Sequence, residues 1–228
     1  MKLLYACGDS WTYGDEITDP TGVDDKNYRY YNSWPWMLAE NLSIPLCVND
    51  GMGAASNQRT FRRTNDFIFK WLGKGKKPSD LLVVVGWTST ERNEVGIGDI
   101  YYPMQAQQAL VNRHAPEDPG ILNNYHKYFY YAYSDKLGEE TQLRYMINLR
   151  LLCKGLGIKY YDFIAIGKPS DHWIDMAAAK GITLDNFYKN GSWNSTAHYG
   201  NWPRHQYHHP TKENHKMWAD LIAKEIVI

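Results

Sequence analysis

Short apolar runs alternate along the chain with amphipathic segments. Four runs rich in Val, Ile, Leu or Tyr have the length and composition of buried strands; they are Lys2 to Cys7, Leu46 to Asn49, Leu81 to Val85 and Ile158 to Ile164. Four further segments combine helical spacing of apolar residues with capping or stop signals; they are Trp34 to Asn41, Asn57 to Leu72, Leu122 to Gly155 and Thr211 to Ile226. This alternation predicts an α/β fold with a parallel sheet covered by helices on both faces.

Two regions show no such period. Residues Thr18 to Tyr31 are polar and rich in turn residues, and residues Lys168 to Gln206 are aromatic and irregular. Long loops of this kind in a compact domain are often functional. Because no repeat, low-complexity tract or linker interrupts the pattern, we predict a single domain over residues 1–228.

Composition excludes several classes of function. The chain has 25 basic and 25 acidic residues, so it lacks the basic surplus of a nucleic-acid-binding protein. No apolar run approaches the length of a membrane span. The first apolar stretch is too short for a secretory signal, and we expect the chain to begin at Met1. The three cysteines are widely spaced and lie in apolar segments, which favours buried, reduced thiols.

Polar side chains with catalytic potential follow the predicted strands. The first strand leads into Gly8-Asp9-Ser10, the second into a glycine-containing loop, residues 49–57, and the third into residues 86–92, which carry several hydroxyl groups. His208-His209-Pro210 precedes the last predicted helix. Because parallel strands place their carboxyl ends at one edge, we expect a serine, backbone donors and a histidine to share that edge. This set of groups is typical of acyl transfer.

These segments resemble the sequence blocks of the SGNH (GDSL-type) hydrolases. The resemblance rests on Gly8-Asp9-Ser10 with Gly14 four residues later, on Ser33-Trp34-Pro35, Val48-Asn49 and residues 53–57, and on His209-Pro210. The blocks occur in the family's order across the whole chain. The resemblance implies a three-layer α/β/α, flavodoxin-like fold.

The resemblance also implies roles for individual residues. Ser10 is the expected nucleophile, Gly53 (or Ala54, one residue on) the expected oxyanion donor through its backbone N–H, and His209 the expected general base. The same blocks give candidate substrate-binding residues, which are Asp9, Trp11, Asn57, Trp87 and Gln206.

Two departures from the family pattern affect the expected mechanism. Where the family's third block has an asparagine that donates to the oxyanion, this chain has Thr88, with Asn57 and Ser89 as alternative donors. Where the family has an aspartate three residues before the histidine, this chain has Gln206. Another carboxylate must orient His209, or the enzyme is weak or inactive; Asp175 and Asp185 are candidates.

The leading hypothesis is a serine esterase that needs no cofactor and removes a small acyl group, such as acetyl, from a carbohydrate. The rival is an inactive scaffold that binds glycans or belongs to an assembly such as a virus particle, because the asparagine of the third block and the aspartate before the histidine are both missing. The chain also resembles short phage-encoded members of the family. Both hypotheses place the protein in the cytoplasm or in a virion. The clustered histidines match no standard zinc pattern; they are His198, His205, His208, His209 and His215.

Overall fold

The computed structural model describes residues 1–97, 100–104, 120, 127, 133–167, 170–180 and 209–226. Its centre is a sheet of four parallel strands, β1 (Leu3–Cys7), β2 (Leu46–Asn49), β3 (Leu81–Trp87) and β6 (Lys159–Ile164). The strands lie in the order β2-β1-β3-β6. All four agree with the strands predicted from the apolar runs, and their order is that of a flavodoxin-like sheet.

Seven helices surround the sheet in the described part of the chain. They are α1 (Ser10–Tyr13), α2 (Lys26–Asn32), α3 (Trp34–Asn41), α4 (Asn57–Gly73), α5 (Asp135–Leu156), α6 (Asp171–Ala179) and α7 (Lys212–Glu225). The predictions of α3, α4 and α7 are confirmed to within a few residues. The helix predicted to start at Leu122 begins instead at Asp135, where Ser134 caps it through the Leu137 amide. Much of the preceding predicted stretch lies outside the described residues.

Two helices and a hairpin were not predicted. The helices α2 and α6 lie inside regions interpreted as irregular, and each has a side-chain cap, from Asp25 and Ser170 respectively. An antiparallel hairpin follows β3, formed by β4 (Asn93–Ile97) and β5 (Ile100–Met104). Apolar periodicity gives little signal for α2 and α6 because both helices are short and carry few buried apolar residues.

Helices pack on both faces of the sheet, which confirms the three-layer prediction. Alternate side chains of β1 and β3 point to opposite faces. On one face they contact buried residues of α4, α5 and α6. On the other they contact buried residues of α1, α3 and α7. The sheet is therefore buried, and the polar segments that follow its strands meet at its carboxyl edge.

Candidate active site

Ser10 lies where β1 passes into the single helical turn α1. Asp9 caps this turn, since its Oδ1 accepts the Trp11 amide at 3.0 Å. Its other oxygen lies 3.3 Å from Nη1 of Arg92, on the loop after β3. The Asp9 side chain is fully buried and the Ser10 residue nearly so. An ion pair from a neighbouring strand end thus fixes the turn that carries Ser10.

Gly8 permits close packing under this turn. A Cβ placed at residue 8 would lie 2.2 Å from Oγ1 of Thr12 and 2.7 Å from the Gly86 carbonyl oxygen. Neither distance leaves room for a methyl group. The glycine of the Gly-Asp-Ser motif therefore lets α1 sit directly against the ends of β1 and β3.

His209 is joined to the loop that follows Ser10. Its Nδ1 lies 2.8 Å from Oε2 of Glu16, six residues after the serine, and both side chains are about one-quarter exposed. The same loop is bound to the serine, because the Ser10 carbonyl oxygen accepts the Asp15 amide at 3.0 Å. With Nδ1 engaged by the carboxylate, Nε2 is the ring nitrogen that can exchange a proton with a substrate or nucleophile.

Asp15 links this loop to the second block. A Cβ at Gly53 would lie 2.9 Å from the Asp15 carboxylate, so this glycine lies against the carboxylate. Burial raises the pKa of the Asp15 carboxyl, and the neighbouring His209 opposes that rise. The Met52 amide also donates to the Gly8 carbonyl, which brings the second block to the serine turn. Ala54, the next residue, has a left-handed φ of 59°.

The Thr88 backbone is held from two sides. Its N–H donates to Oδ1 of Asn57 at 2.9 Å, and its carbonyl oxygen accepts from Nδ2 of Asn57 at 3.0 Å and Nε2 of Gln142 at 2.9 Å. Among the described residues, the buried Thr88 hydroxyl has no hydrogen-bond partner. The Asn57 amide group also lies 3.4 Å from the Ser89 carbonyl oxygen. Asn57 and Gln142 thus fix the threonine, while its hydroxyl group is left to interact elsewhere.

The two tryptophans singled out from the sequence lie in the core. Trp87 is completely buried in the cluster beside α5, and its indole N–H donates to Asp162 at 3.0 Å. Trp11 is buried in the opposite cluster. Their surroundings are those of packing residues, in contrast to the substrate-binding role expected for them. Gln206 lies outside the described residues.

The carboxylate beside His209 was not found by sequence reasoning. The candidates were Asp175 and Asp185; the former is exposed on α6 and the latter lies outside the described residues. The missed signal was the acidic pair Asp15-Glu16, which directly follows the serine turn. Arg92, the last residue of the segment that follows the third strand, pairs with Asp9 in the structure.

Three histidines of the clustered set lie outside the described residues, namely His198, His205 and His208. His215 is buried in α7, where its Nδ1 accepts the Trp34 amide at 3.1 Å. In the described ranges, no group of three or more His, Cys, Asp or Glu side chains could hold a metal ion. No helix in those ranges is sufficiently long and apolar to cross a bilayer.

Solved structures similar to this chain are esterases and related proteins at low sequence identity. A protein assigned to the G-D-S-L lipolytic family from Desulfitobacterium hafniense is 13% identical with a TM-score of 0.49, over 99% of this chain and 100% of the other. A G-D-S-L family member from Veillonella parvula is also 13% identical, with a TM-score of 0.47 over 99% and 98% of the two chains.

A carbohydrate acetylesterase from Sinorhizobium meliloti is 14% identical, with a TM-score of 0.46 over 99% of this chain and 98% of the other. No curated protein sequence matches this chain. A family model covers residues 14–227, nearly the whole length. The chain therefore belongs to the family of unknown function DUF6071.

Proposed function

We propose that the protein is a serine-dependent ester hydrolase in which Ser10 is the nucleophile, His209 the general base and Glu16 the residue that orients the base. The contact between Glu16 and His209 carries this proposal. A carboxylate at Nδ1 fixes the tautomer that presents an unprotonated Nε2, and it stabilises the imidazolium that forms during the reaction. Glu16 thus takes the role that Gln206 cannot fill, because a glutamine carries no charge.

The location of Ser10 and Thr88 supports the assignment. In an open parallel sheet, ligands bind beyond the carboxyl ends of the strands where the strand order reverses. Here the chain moves from β1 outward to β2 and then returns to β3 on the other side of β1. Ser10 follows β1 and Thr88 follows β3, so both residues lie at this reversal.

Backbone strain at Glu16 agrees with a functional role. Its φ is 67°, in the left-handed region that residues other than glycine, asparagine and aspartate seldom adopt. Such conformations cost about 1–3 kcal/mol and are concentrated at active sites, where the surrounding structure maintains them. In this loop, the strained backbone places the Glu16 carboxylate at the His209 ring.

The reaction has two halves. The Ser10 Oγ attacks the ester carbonyl carbon while Nε2 of His209 takes the hydroxyl proton. The bond from carbonyl carbon to alcohol oxygen then breaks as Nε2 returns the proton to the departing alcohol. Water attacks the acyl-Ser10 ester in the same way, releasing the acid and restoring the serine.

The hydroxyl group of Thr88 is the side-chain donor that we assign to the oxyanion. It is buried and without a partner among the described residues, whereas the amide of Asn57 is occupied by the Thr88 backbone. A fixed donor aimed at developing negative charge lowers the barrier because it needs no reorganisation. Backbone N–H groups of Ser10 and Gly53 complete the proposed oxyanion hole.

A small pocket next to Thr88 favours a small acyl group. Its volume is about 70 Å³, and its apolar part is formed by Ile164, Ile166 and Trp173. Such a volume suits an acyl group of a few carbons and is too small for a lipid chain. We therefore propose an acetyl-like acyl group, and the abundance of aromatic residues, 9 Trp and 18 Tyr, favours a carbohydrate as the alcohol portion.

The decisive experiment combines turnover with covalent labelling. The native protein should hydrolyse p-nitrophenyl acetate and gain one fluorophosphonate adduct by intact mass, and Ser10→Ala should lose both. Ser79→Ala, which alters an exposed serine, should keep both. If the native protein shows no adduct and only the turnover of Ser10→Ala, the esterase proposal is wrong and an inactive, glycan-binding scaffold becomes the better explanation.

A further inference from the structure

A second, polar pocket lies beside the serine turn. It has a volume of about 130 Å³ and is formed by three elements. Its walls include Asn57 and Gln58 from the start of α4, Arg92 and Asn93 after β3, and Thr141 and Gln142 from α5. We call this cavity the Arg92 pocket. Because Arg92 contacts Asp9 and Asn57 contacts Thr88, the pocket is directly connected to the proposed active site.

The described lining of this pocket carries a positive charge and no negative charge. Arg92 is the only charged residue that lines it within the described part of the chain, and the lining contains no acidic residue there. The start of α4 adds the positive end of a 17-residue helix whose first turn carries no acid. Asp9 compensates part of this positive charge from outside the lining, but the groups that the pocket itself presents are positive, and they favour an anionic ligand over a cationic one.

Arg92 has donors beyond those used by Asp9. The contact with Asp9 uses Nη1, and the structure gives the guanidinium no other partner among the described residues. A guanidinium presents five N–H groups in a planar fork, so one edge can hold Asp9 while another binds a second carboxylate bidentately. The Arg92 side chain retains 14% exposure, which leaves it reachable from the pocket.

The remaining lining selects a hydroxylated ligand. Gln58 and Asn93 carry amides, and Thr141 carries a hydroxyl group, so the pocket offers both donors and acceptors. Tyr133 and Tyr145 add aromatic rings of the kind that pack against the apolar face of a sugar, and Phe61 stacks on one face of Tyr145. An aliphatic chain could not use these polar groups, whereas the hydroxyl groups of a sugar ring could hydrogen-bond with them.

We propose that the Arg92 pocket binds a carboxylate on the alcohol portion of the ester, so that the preferred substrate is an acylated acidic sugar. This inference rests on the proposed esterase function for its catalytic consequence. The binding itself requires only the pocket, and it can therefore be tested separately from turnover.

The first test is binding to Ser10→Ala, which keeps the pocket and cannot form an acyl-enzyme. Calorimetric titration with glucuronate and with glucose should show at least about tenfold tighter binding of glucuronate, since charge-assisted hydrogen bonds are worth about ten- to a hundredfold. Arg92→Lys keeps a charge for Asp9 but loses the fork, and should lose most of that preference. Arg144→Lys, on the exposed face of α5, should keep it.

The second test compares O-acetylated glucuronic acid with its methyl ester, which has the same ring without the charge. The native protein should deacetylate the acid with a kcat/KM at least about tenfold higher. Equal rates on the two compounds, or equal affinities for glucuronate and glucose, would overturn the inference while leaving turnover of p-nitrophenyl acetate intact. Selective glucuronate binding without any Ser10-dependent turnover would support the pocket and overturn the esterase proposal.

Discussion

The Glu16 carboxylate lies 2.8 Å from Nδ1 of His209, although 193 positions separate the two residues in the chain. In the SGNH pattern that the sequence resembles, the orienting acid lies three residues before the histidine. Here it follows the proposed nucleophile and lies on the same loop. A single short segment, residues 9–16, therefore carries both the serine and the carboxylate, and the histidine approaches from the start of the last helix.

Replacing Glu16 with glutamine should reduce kcat for p-nitrophenyl acetate and leave KM nearly unchanged. Glutamine keeps the size of the side chain but removes the charge that stabilises the imidazolium, and neutralising the equivalent acid in serine proteases costs about ten-thousandfold. Because Glu16 and His209 are each about one-quarter exposed, water screens part of the effect, and we expect about a hundred- to a thousandfold loss.

The matched control for this substitution is Glu40→Gln, which removes the charge of an exposed glutamate on α3. It should leave kcat and the melting temperature unchanged. Steady-state kinetics on the three proteins, with circular dichroism to verify folding, make the comparison. If Glu16→Gln folds and retains full kcat, Glu16 does not orient the base.

Substitution of Thr88 by valine should separate activity from stability. Valine has the shape of threonine without the hydroxyl group, so a buried group without a partner among the described residues is removed. The protein should become no less stable, and gain up to about 1 kcal/mol, because an unpaired buried hydroxyl is unfavourable. The value of kcat should nevertheless fall about a hundred- to a thousandfold, as on loss of an oxyanion donor.

Thr60→Val supplies the control for Thr88→Val. Thr60 on α4 also has a buried hydroxyl group without a partner in the described part of the chain. It should show the same stability change with unaltered kcat. Denaturant titration and turnover of p-nitrophenyl acetate measure both effects, and an equal kcat in the two variants would remove Thr88 from the oxyanion hole.

Removing one partner of the ion pair between Asp9 and Arg92 should destabilise the fold more than removing both partners. Arg92→Leu leaves the fully buried Asp9 carboxylate without its cation, which should cost about 2–3 kcal/mol. Adding Asp9→Asn removes that charge and should recover most of the loss. Urea titration of the single and double variants measures this; a double variant as unstable as Arg92→Leu would contradict it.

The sheet could be predicted because its signal is local. Each of the four strands is a compact apolar run, and the two central strands β1 and β3 are buried at every position. Helices with an apolar face were also visible. The hairpin of β4 and β5 was missed because Asn93, Glu94 and Gly96 interrupt the apolar pattern. These two strands are defined by their antiparallel pairing with each other, which the apolar pattern does not report.

Only the parts of the candidate site that lie within single sequence motifs could be predicted. Ser10 and His209 lie in short motifs that sequence reading can recognise. The contact of Glu16 with His209 depends on how the loop after α1 packs against the segment before α7. Residue spacing in the sequence does not indicate that packing. The burial of Trp87 was hidden for the same reason, since its partner Asp162 comes from a strand 75 positions later.

Ionisation of Asp15 should destabilise the fold as the pH rises through the raised pKa of this carboxyl. Burial raises the pKa of Asp15 in the folded state, so the folded protein binds that proton more tightly than the unfolded chain. The stabilisation is present below the unfolded pKa and is lost as pH rises through the folded pKa. Asp15→Asn should therefore raise the melting temperature at pH 7, and the gain should shrink toward pH 4.

Asp80 provides a comparison of opposite sign. Its hydrogen bond with Lys2 lowers the pKa of the Asp80 carboxyl, so Asp80 stabilises the fold above its unfolded pKa and loses that effect as pH falls. Asp80→Asn should lower the melting temperature at pH 7, with a smaller difference at pH 4. Calorimetric scans of both variants at pH 7 and pH 4 measure these melting temperatures. A change of the same sign in the two variants at pH 7 would contradict the assigned pKa directions.

The three cysteines should be unreactive until the protein unfolds. All are free and buried, as expected from the sequence. Burial raises the pKa of Cys47 and of Cys153 to about 12 and also raises that of Cys7. The thiolate, which is the reactive form, is therefore scarce at pH 8. Ellman's reagent should label none of the thiols in buffer and all three in guanidinium chloride; rapid labelling of any thiol in buffer would show that its segment opens readily.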